Sequence, residues 1–198
     1  MATSTQVFPL SFSRPVGVHS TMNWNRLFLV INLVGGLTVL GSYAVGIAGH
    51  AGQNHLLWGN IPESVRGVYT ACMVPAALGY LASFFYLVRA DWTQLRFKNK
   101  SAVPTILRQH IIFLVTASAW MPLSWLALDH GMTVLFWPIQ ALLLITGMAA
   151  FGMARSYWKL VDPPNPFGAA LACWGLTFLV FQCLVLDALV WPRFFVIV

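Results

Sequence analysis

The sequence predicts an all-α integral membrane protein, one compact bundle of five transmembrane helices. Two observations carry that prediction. Of 198 residues, 59% are apolar and only 8% are charged, with a mean hydropathy of +0.74; a soluble domain carries about 25% charged residues. Too few charges remain to cover a water-facing surface, so the outside of the fold must face hydrocarbon. The second observation is a set of five apolar runs, almost free of charge, each able to cross about 30 Å of hydrocarbon at about 1.5 Å per helical residue. Apolar content continues from residue 27 to the C-terminus without a soluble block, giving one transmembrane domain over residues 23–198 behind a flexible tail over residues 1–22.

The spans follow in order. The first, Leu27 to Gly49, begins beside Arg26 and presents a small-residue edge at Ser42 and Gly46. The second, Gly67 to Val88, lies between Arg66 and Arg89 and contains Pro75. The third, Ile106 to Leu128, holds Pro122, and its start carries Arg108, Gln109 and His110, which places His110 at the interface. Only Asp129, His130 and Gly131 separate it from the fourth, Met132 to Met153, so the two form a tight helical hairpin. In that turn Asp129 ends the third helix and His130 with Gly131 starts the fourth. The fourth span contains Pro138, and the fifth runs from Gly168 to Trp191. Each internal proline removes a helical hydrogen bond and can kink its helix, which membrane helices tolerate.

Orientation follows from Lys and Arg, because cationic loops stay on the cytoplasmic side during insertion. Arg14, Arg26, Arg89, Arg96, Lys98, Lys100, Arg108, Arg155 and Lys159 fall on one side of a five-span chain, and only Arg66 and Arg193 on the other. The N-terminus is therefore expected inside and the C-terminus outside. An isoelectric point near 9.7 then reflects a basic rim facing anionic lipid and calls for no nucleic acid. Residues 1–22 lack the basic start and apolar core of a secretory signal. Their Ser and Thr content, with no acidic residue before Glu63, leaves a plain tail as the main reading and organelle targeting as the alternative. The membrane itself, plasma or organellar, is left open. Cys72, Cys173 and Cys183 lie inside spans, form no CxxC pair and suggest neither a disulfide framework nor a zinc site.

The clearest packing signal is in the second span, where Gly67, Ala71, Pro75, Gly79 and Ser83 recur every four residues. They share one helix face, and a strip of small side chains lets another backbone approach closely in lipid. Partner edges are offered by Ser42 and Gly46 in the first span and by Gly147, Gly152 and Ser156 in the fourth; the functional alternative is a ligand groove along the strip. Among the tryptophans, Trp24, Trp58, Trp92, Trp158 and Trp191 lie near span ends, where indoles favour the headgroup region. Trp120, Trp125, Trp137 and Trp174 read as deeper; with Tyr80, Gln140 and Gln182 they are the candidate walls and polar contacts of a site for an apolar ligand.

Ionisable groups within spans are pointers to function. Asp187 sits four residues before Trp191 and needs a partner, water or a proton. Glu63, Asp129 and Asp187 fall on the outer side with His50, His55 and His130. Asp187, His130, Asp129 and Glu63 are therefore the candidate proton or cation site, with Asp187 beside His130 if the fifth span packs along the hairpin. None has metal-ligand spacing. Asn32, Thr116, Gln140 and Gln182 are also suited to interhelical hydrogen bonds. The chain has no GxSxG elbow, phosphate-binding glycine loop or HExxH, and no histidine pair spaced to clamp a haem, so no catalytic residue or cofactor is assigned. In outline, five spans and many tryptophans resemble the tryptophan-rich translocator group. The loop GHAGQNHLLWGNIPESVR, with Trp58 and Pro62 but no lysine, lacks that group's loop motif, so no roles carry over. The leading expectation is a bundle that binds or moves a lipid, sterol or pigment between its helices. The alternatives are an accessory subunit, in a homo-oligomer or a larger membrane complex, and a lipid-modifying or redox enzyme using the outer His and carboxylate groups.

Overall fold

The computed structural model describes residues 23–197, so the tail expected over residues 1–22 lies outside the described residues. Helix α1 (Trp24–Gly49) is followed by α2 (Glu63–Arg89), α3 (Val103–Asp129), α4 (Phe136–Trp158) and α5 (Pro166–Val180). Helix α5 passes directly into a π-helical segment (Phe181–Val190) and a closing 3-10 turn (Trp191–Arg193). With the 3-10 turn before α4 and the continuation of α5 included, these make, among the described residues, five helices long and apolar enough to cross a membrane. Between α2 and α3, β1 (Arg96–Phe97) and β2 (Lys100–Ser101) pair antiparallel.

Local chemistry sets the helix ends. Asn23 and Asn165 cap α1 and α5, their side-chain oxygens accepting the N–H groups of Arg26 and Gly168. At the other end of α3, Met132 N–H donates to the Ala127 carbonyl and Gly131 N–H to that of Leu128, with Gly131 at φ 61°. This is a Schellman closure, which needs a left-handed residue that glycine adopts without strain. His130 and Gly131 therefore finish α3 and do not begin the next helix. Because α4 starts only at Phe136, Pro138 falls in its first turn, where a missing N–H costs no helical bond. Pro75 and Pro122 do lie inside α2 and α3.

Helix α1 lies against α3, α3 against α4, α4 against α5 and α5 against α2. Helix α2 meets α1 more sparsely, where Tyr80 donates to Asn32 Oδ1 (2.6 Å) and Asn25 donates to the Val88 and Ala90 carbonyls. The loop after α2 and the loop after α4 meet through Val161 N–H and the Arg96 carbonyl, gathering the lysine- and arginine-rich segments into a basic end. At the opposite, histidine-bearing end, Asn60 N–H binds the Phe194 carbonyl and His50 meets Asp129.

The tightest packing joins α2 to α5. A Cβ at Gly79 would collide with the Gly175 carbonyl, and one at Gly175 with the Gly79 backbone, so the two backbones touch where both side chains are absent. Ser83, next on the same strip, is buried and hydrogen-bonds Tyr157 of α4 (2.9 Å). Gly67 and Ala71, at the histidine-bearing end of the strip, are exposed. The partner of the strip is thus α5, not the edges of the first and fourth spans. Those edges serve other neighbours: Gly46 lies under Met121 and Trp125, Gly147 against Leu184, and Gly152 against Gln109.

Gly79→Leu must separate α2 from α5 and is expected to cost about 3 kcal/mol or more, the upper range for overpacking. Gly67→Leu, with nothing within 4 Å of the added Cβ, should leave stability nearly unchanged. Thermal unfolding of the two variants in the same detergent checks this, and equal losses would show that the glycine contact is not what holds the pair.

Candidate functional site

At the histidine-bearing end, the last turn of α1 lies along the last turns of α3. His50 follows α1 as its C-cap, its Nδ1 2.8 Å from the Gly46 carbonyl and its Nε2 3.0 Å from Asp129 Oδ2. Both partners are acceptors, so the doubly protonated ring satisfies both at once. The imidazole stacks on Trp125, with ring centroids 3.8 Å apart and planes 3° from parallel. Trp125 is buried, and its indole Nε1 has no hydrogen-bond partner among the described residues. Gly46 makes this fit, since a Cβ there would sit 3.0 Å from Nε1. Beside the stack, a cavity of about 400 Å³ runs between α1 and α3 past Ser42, Val45, Ser118 and Pro122. Its wall is mostly apolar, with scattered hydroxyls, and its lining includes Trp125.

A second unusual place is the π-helical segment. Pro192 has no N–H to give the Ala188 carbonyl four residues earlier, and Gln140 of α4 donates to that carbonyl instead (2.6 Å). Tyr69 of α2 donates to the Leu186 carbonyl (2.8 Å). Asp187 Oδ1 accepts from Gln182 (2.9 Å), a residue five positions earlier. In an α-helix such residues lie about 140° apart around the axis; the wider winding brings them to one side. Tyr43, Tyr69 and Cys183 lie within electrostatic reach of the carboxylate, and among the described residues no Lys, Arg or His pairs with it. Tyr43 also takes a hydrogen bond from Trp120 (3.0 Å), whose ring meets Trp191 edge-on.

The sequence-derived candidates thus separate. Trp125 and Asp129 join His50 at the groove, whereas Trp120, Gln140, Gln182 and Asp187 gather around the π-helical segment. Tyr80 sits toward the basic end with Asn32 and Phe113. Trp137 and Trp174 point outward, 72% and 65% exposed, and wall neither place; Trp137 stands on the outer face of a helix that starts at Phe136. Asp129 pairs with His50, and no hydrogen bond or ion pair joins His130 to Asp187. Glu63 starts α2, exposed. Trp92 and Trp191, read as interfacial anchors, are buried at 3% and 6% exposure, with their N–H groups on the Leu87 and Leu57 carbonyls. His110 is buried too: Nδ1 bonds the Ile106 carbonyl, Phe28 meets the ring edge-on, and Nε2 has no partner. Phe28 of α1 packs against both this ring and Trp92 of the loop preceding α3, a meeting that spacing along the chain does not reveal. Sequence reading noted His50 but not its role; its place at the end of α1 was legible, while its contact with α3 depends on helix pairing.

Among the described residues, no three His, Cys, Asp or Glu side chains come together as a metal-ligating group, and the cysteines are free. The chain matches no model of a known protein family, no curated protein and no solved structure, so the chemistry must be read from the geometry.

The bonds to the Gly46 carbonyl and then to Asp129 hold the His50 imidazole above its ordinary pKa. A base whose folded pKa is raised contributes stability fully below its unfolded value, about 6.5, and loses it as pH rises through the folded value. The melting temperature of the native chain relative to Asp129→Asn should therefore be highest in mildly acidic buffer and shrink toward alkaline pH. A difference that stays flat between about pH 5 and 9 would remove the pair from the stability of this end.

Proposed function

We propose that the protein binds, and passes between its helices and the bilayer, an apolar molecule bearing a hydrogen-bond-accepting oxygen, such as a lipid ester, a sterol or an oxygenated pigment. The observation that carries this reading is a cavity of about 400 Å³ between α1 and α3 whose lining includes Trp125, a residue with a buried indole N–H that has no acceptor among the described residues. A buried donor left unpaired costs roughly 1–3 kcal/mol, and a ligand oxygen at that place removes the cost. The remaining wall, with Val45, Pro122, Gly41 and the hydroxyls of Thr38, Ser42 and Ser118, suits a slender apolar body. Small ligands are held in this way by mostly apolar walls and a few placed polar groups. In the same reading the basic end faces the cytoplasm, matrix or stroma, α3 and α4 act as one hairpin, and the groove lies in the outer half of the membrane.

Purification in mild detergent, followed by native mass and absorption spectra, tests the proposal directly. A small apolar molecule should accompany the native chain. Trp125→Phe keeps an aromatic ring under His50 but has no N–H, and should reduce the bound fraction about tenfold, equivalent to one hydrogen bond near 1.4 kcal/mol. Ser118→Ala serves as a control for an incidental change in the wall. A chain free of small molecules but locked in a larger assembly would replace this reading with an accessory-subunit role, and bound metal or haem would replace it with redox chemistry.

A further inference from the structure

The basic end carries a second cavity, unrelated to the groove between α1 and α3. It has a volume of about 460 Å³ and lies between the last turns of α2 and the start of α5. Its polar lining is Arg89, Asn165 and Tyr86, and its apolar lining includes Ala82, Phe85 and Leu171. We infer that this cavity holds the phosphate diester of a glycerophospholipid, with the phosphate between Arg89 and the N-terminus of α5 and the start of an acyl chain along Phe85 and Leu171.

Three independent features meet there. Arg89 is a cation with no carboxylate partner among the described residues, held over the Phe85 ring at 5.7 Å. The carbonyls near the end of α2 do not compete with an anion for its charge: Asn25 covers those of Val88 and Ala90, and Trp92 covers that of Leu87. The second feature is the positive end of α5, with Pro166 in its first turn and the Asn165 oxygen already committed to Gly168 N–H. That bond fixes the Asn165 amide and leaves its NH₂ as a donor beside the helix dipole. The third is Tyr86, a lining residue 9% exposed, whose buried hydroxyl has no hydrogen-bond partner among the described residues. A phosphate oxygen supplies the acceptor it lacks.

No carboxylate lines the space. The nearby Asp91 is occupied by the Thr93 hydroxyl and N–H and by the Gln94 amide. The apolar half of the lining selects a lipid over a soluble anion, because Phe85 and Leu171 are 48% and 55% exposed and continue the apolar surface of the two helices. Arginine forks match phosphate oxygens in pairs, which a lysine ammonium does not.

The test uses the full chain in nanodiscs of phosphatidylglycerol mixed with phosphatidylcholine, released into a mass spectrometer under gentle activation. The native chain should retain one phospholipid that Arg89→Gln loses about tenfold more readily, equivalent to about 1.4 kcal/mol. Arg89→Lys should restore retention only in part, and Tyr86→Phe should weaken it without unfolding the protein, as circular dichroism would verify. In a second arm, delipidated protein in detergent is titrated with inorganic phosphate and its melting temperature followed; no rise is expected. Equal phospholipid retention by the native chain, Arg89→Gln and Tyr86→Phe overturns the inference. Stabilisation by inorganic phosphate alone, abolished in Arg89→Gln, overturns the lipid assignment in favour of a soluble phosphate.

Discussion

The backbone contact between Gly79 and Gly175 is the constraint on which the rest of the bundle depends. Helices this apolar gain little from hiding side chains from lipid, so their association rests on close packing and on polar groups that have no better partner. Two glycines facing each other allow α2 and α5 to approach until backbone meets backbone. At that separation Tyr69 of α2 reaches the Leu186 carbonyl, and Ser83 meets Tyr157 of α4. A larger residue at either glycine would lengthen all of these bonds together. The fold is therefore held by one close approach and the hydrogen bonds that it brings within reach.

The stretch of π-helix near the end of α5 depends on its neighbours as well. Pro192 withholds an N–H from the Ala188 carbonyl, which hydrocarbon cannot satisfy. Gln140 of α4 takes that carbonyl, and Tyr69 of α2 adds a second bond to the Leu186 carbonyl, which the Trp191 N–H already holds in the π-helical pattern. The widened turn in turn sets Gln182 beside Asp187. The irregular helix and the half-buried carboxylate are thus one feature, each stabilised by neighbouring helices.

How much of this was legible in the sequence depends on whether a feature is local or relational. The five helices were, because length and hydropathy are properties of each run, and the Gly79 strip was, because spacing of four marks a helix face. The choice of α5 as its partner was not, since several helices offer small residues and only packing of the whole set selects one. Burial within the protein was not legible for Trp92, Trp137 and Trp191: the first and last are covered by neighbouring elements, and Trp137 stands on the outer face of a helix that starts at Phe136 rather than Met132. Gly131 shows the same limit at short range: Asp-His-Gly reads as a turn, but only its φ and the bond from Met132 to Ala127 assign it to the end of α3. The Trp125 and His50 stack was invisible for the same reason, although Gly46, the small residue that makes room for it, was in view.

Charge balance finally separates the two cavities. At the groove, the Asp129 charge is answered by His50, and the unsatisfied group is a neutral N–H. Such a site rewards a neutral acceptor and gives an anion no net attraction, while the desolvation of any charged head in an apolar wall remains to be met. At the basic end, no carboxylate among the described residues pairs with Arg89, and the dipole of α5 adds to the same sign. A neutral head there would leave the guanidinium unanswered, whereas a phosphate satisfies Arg89, Asn165 and Tyr86 together. In the two proposed sites one apolar bundle thus carries opposite chemistry, and the sorting arises from a single pairing: His50 bonds Asp129, and among the described residues no carboxylate pairs with Arg89.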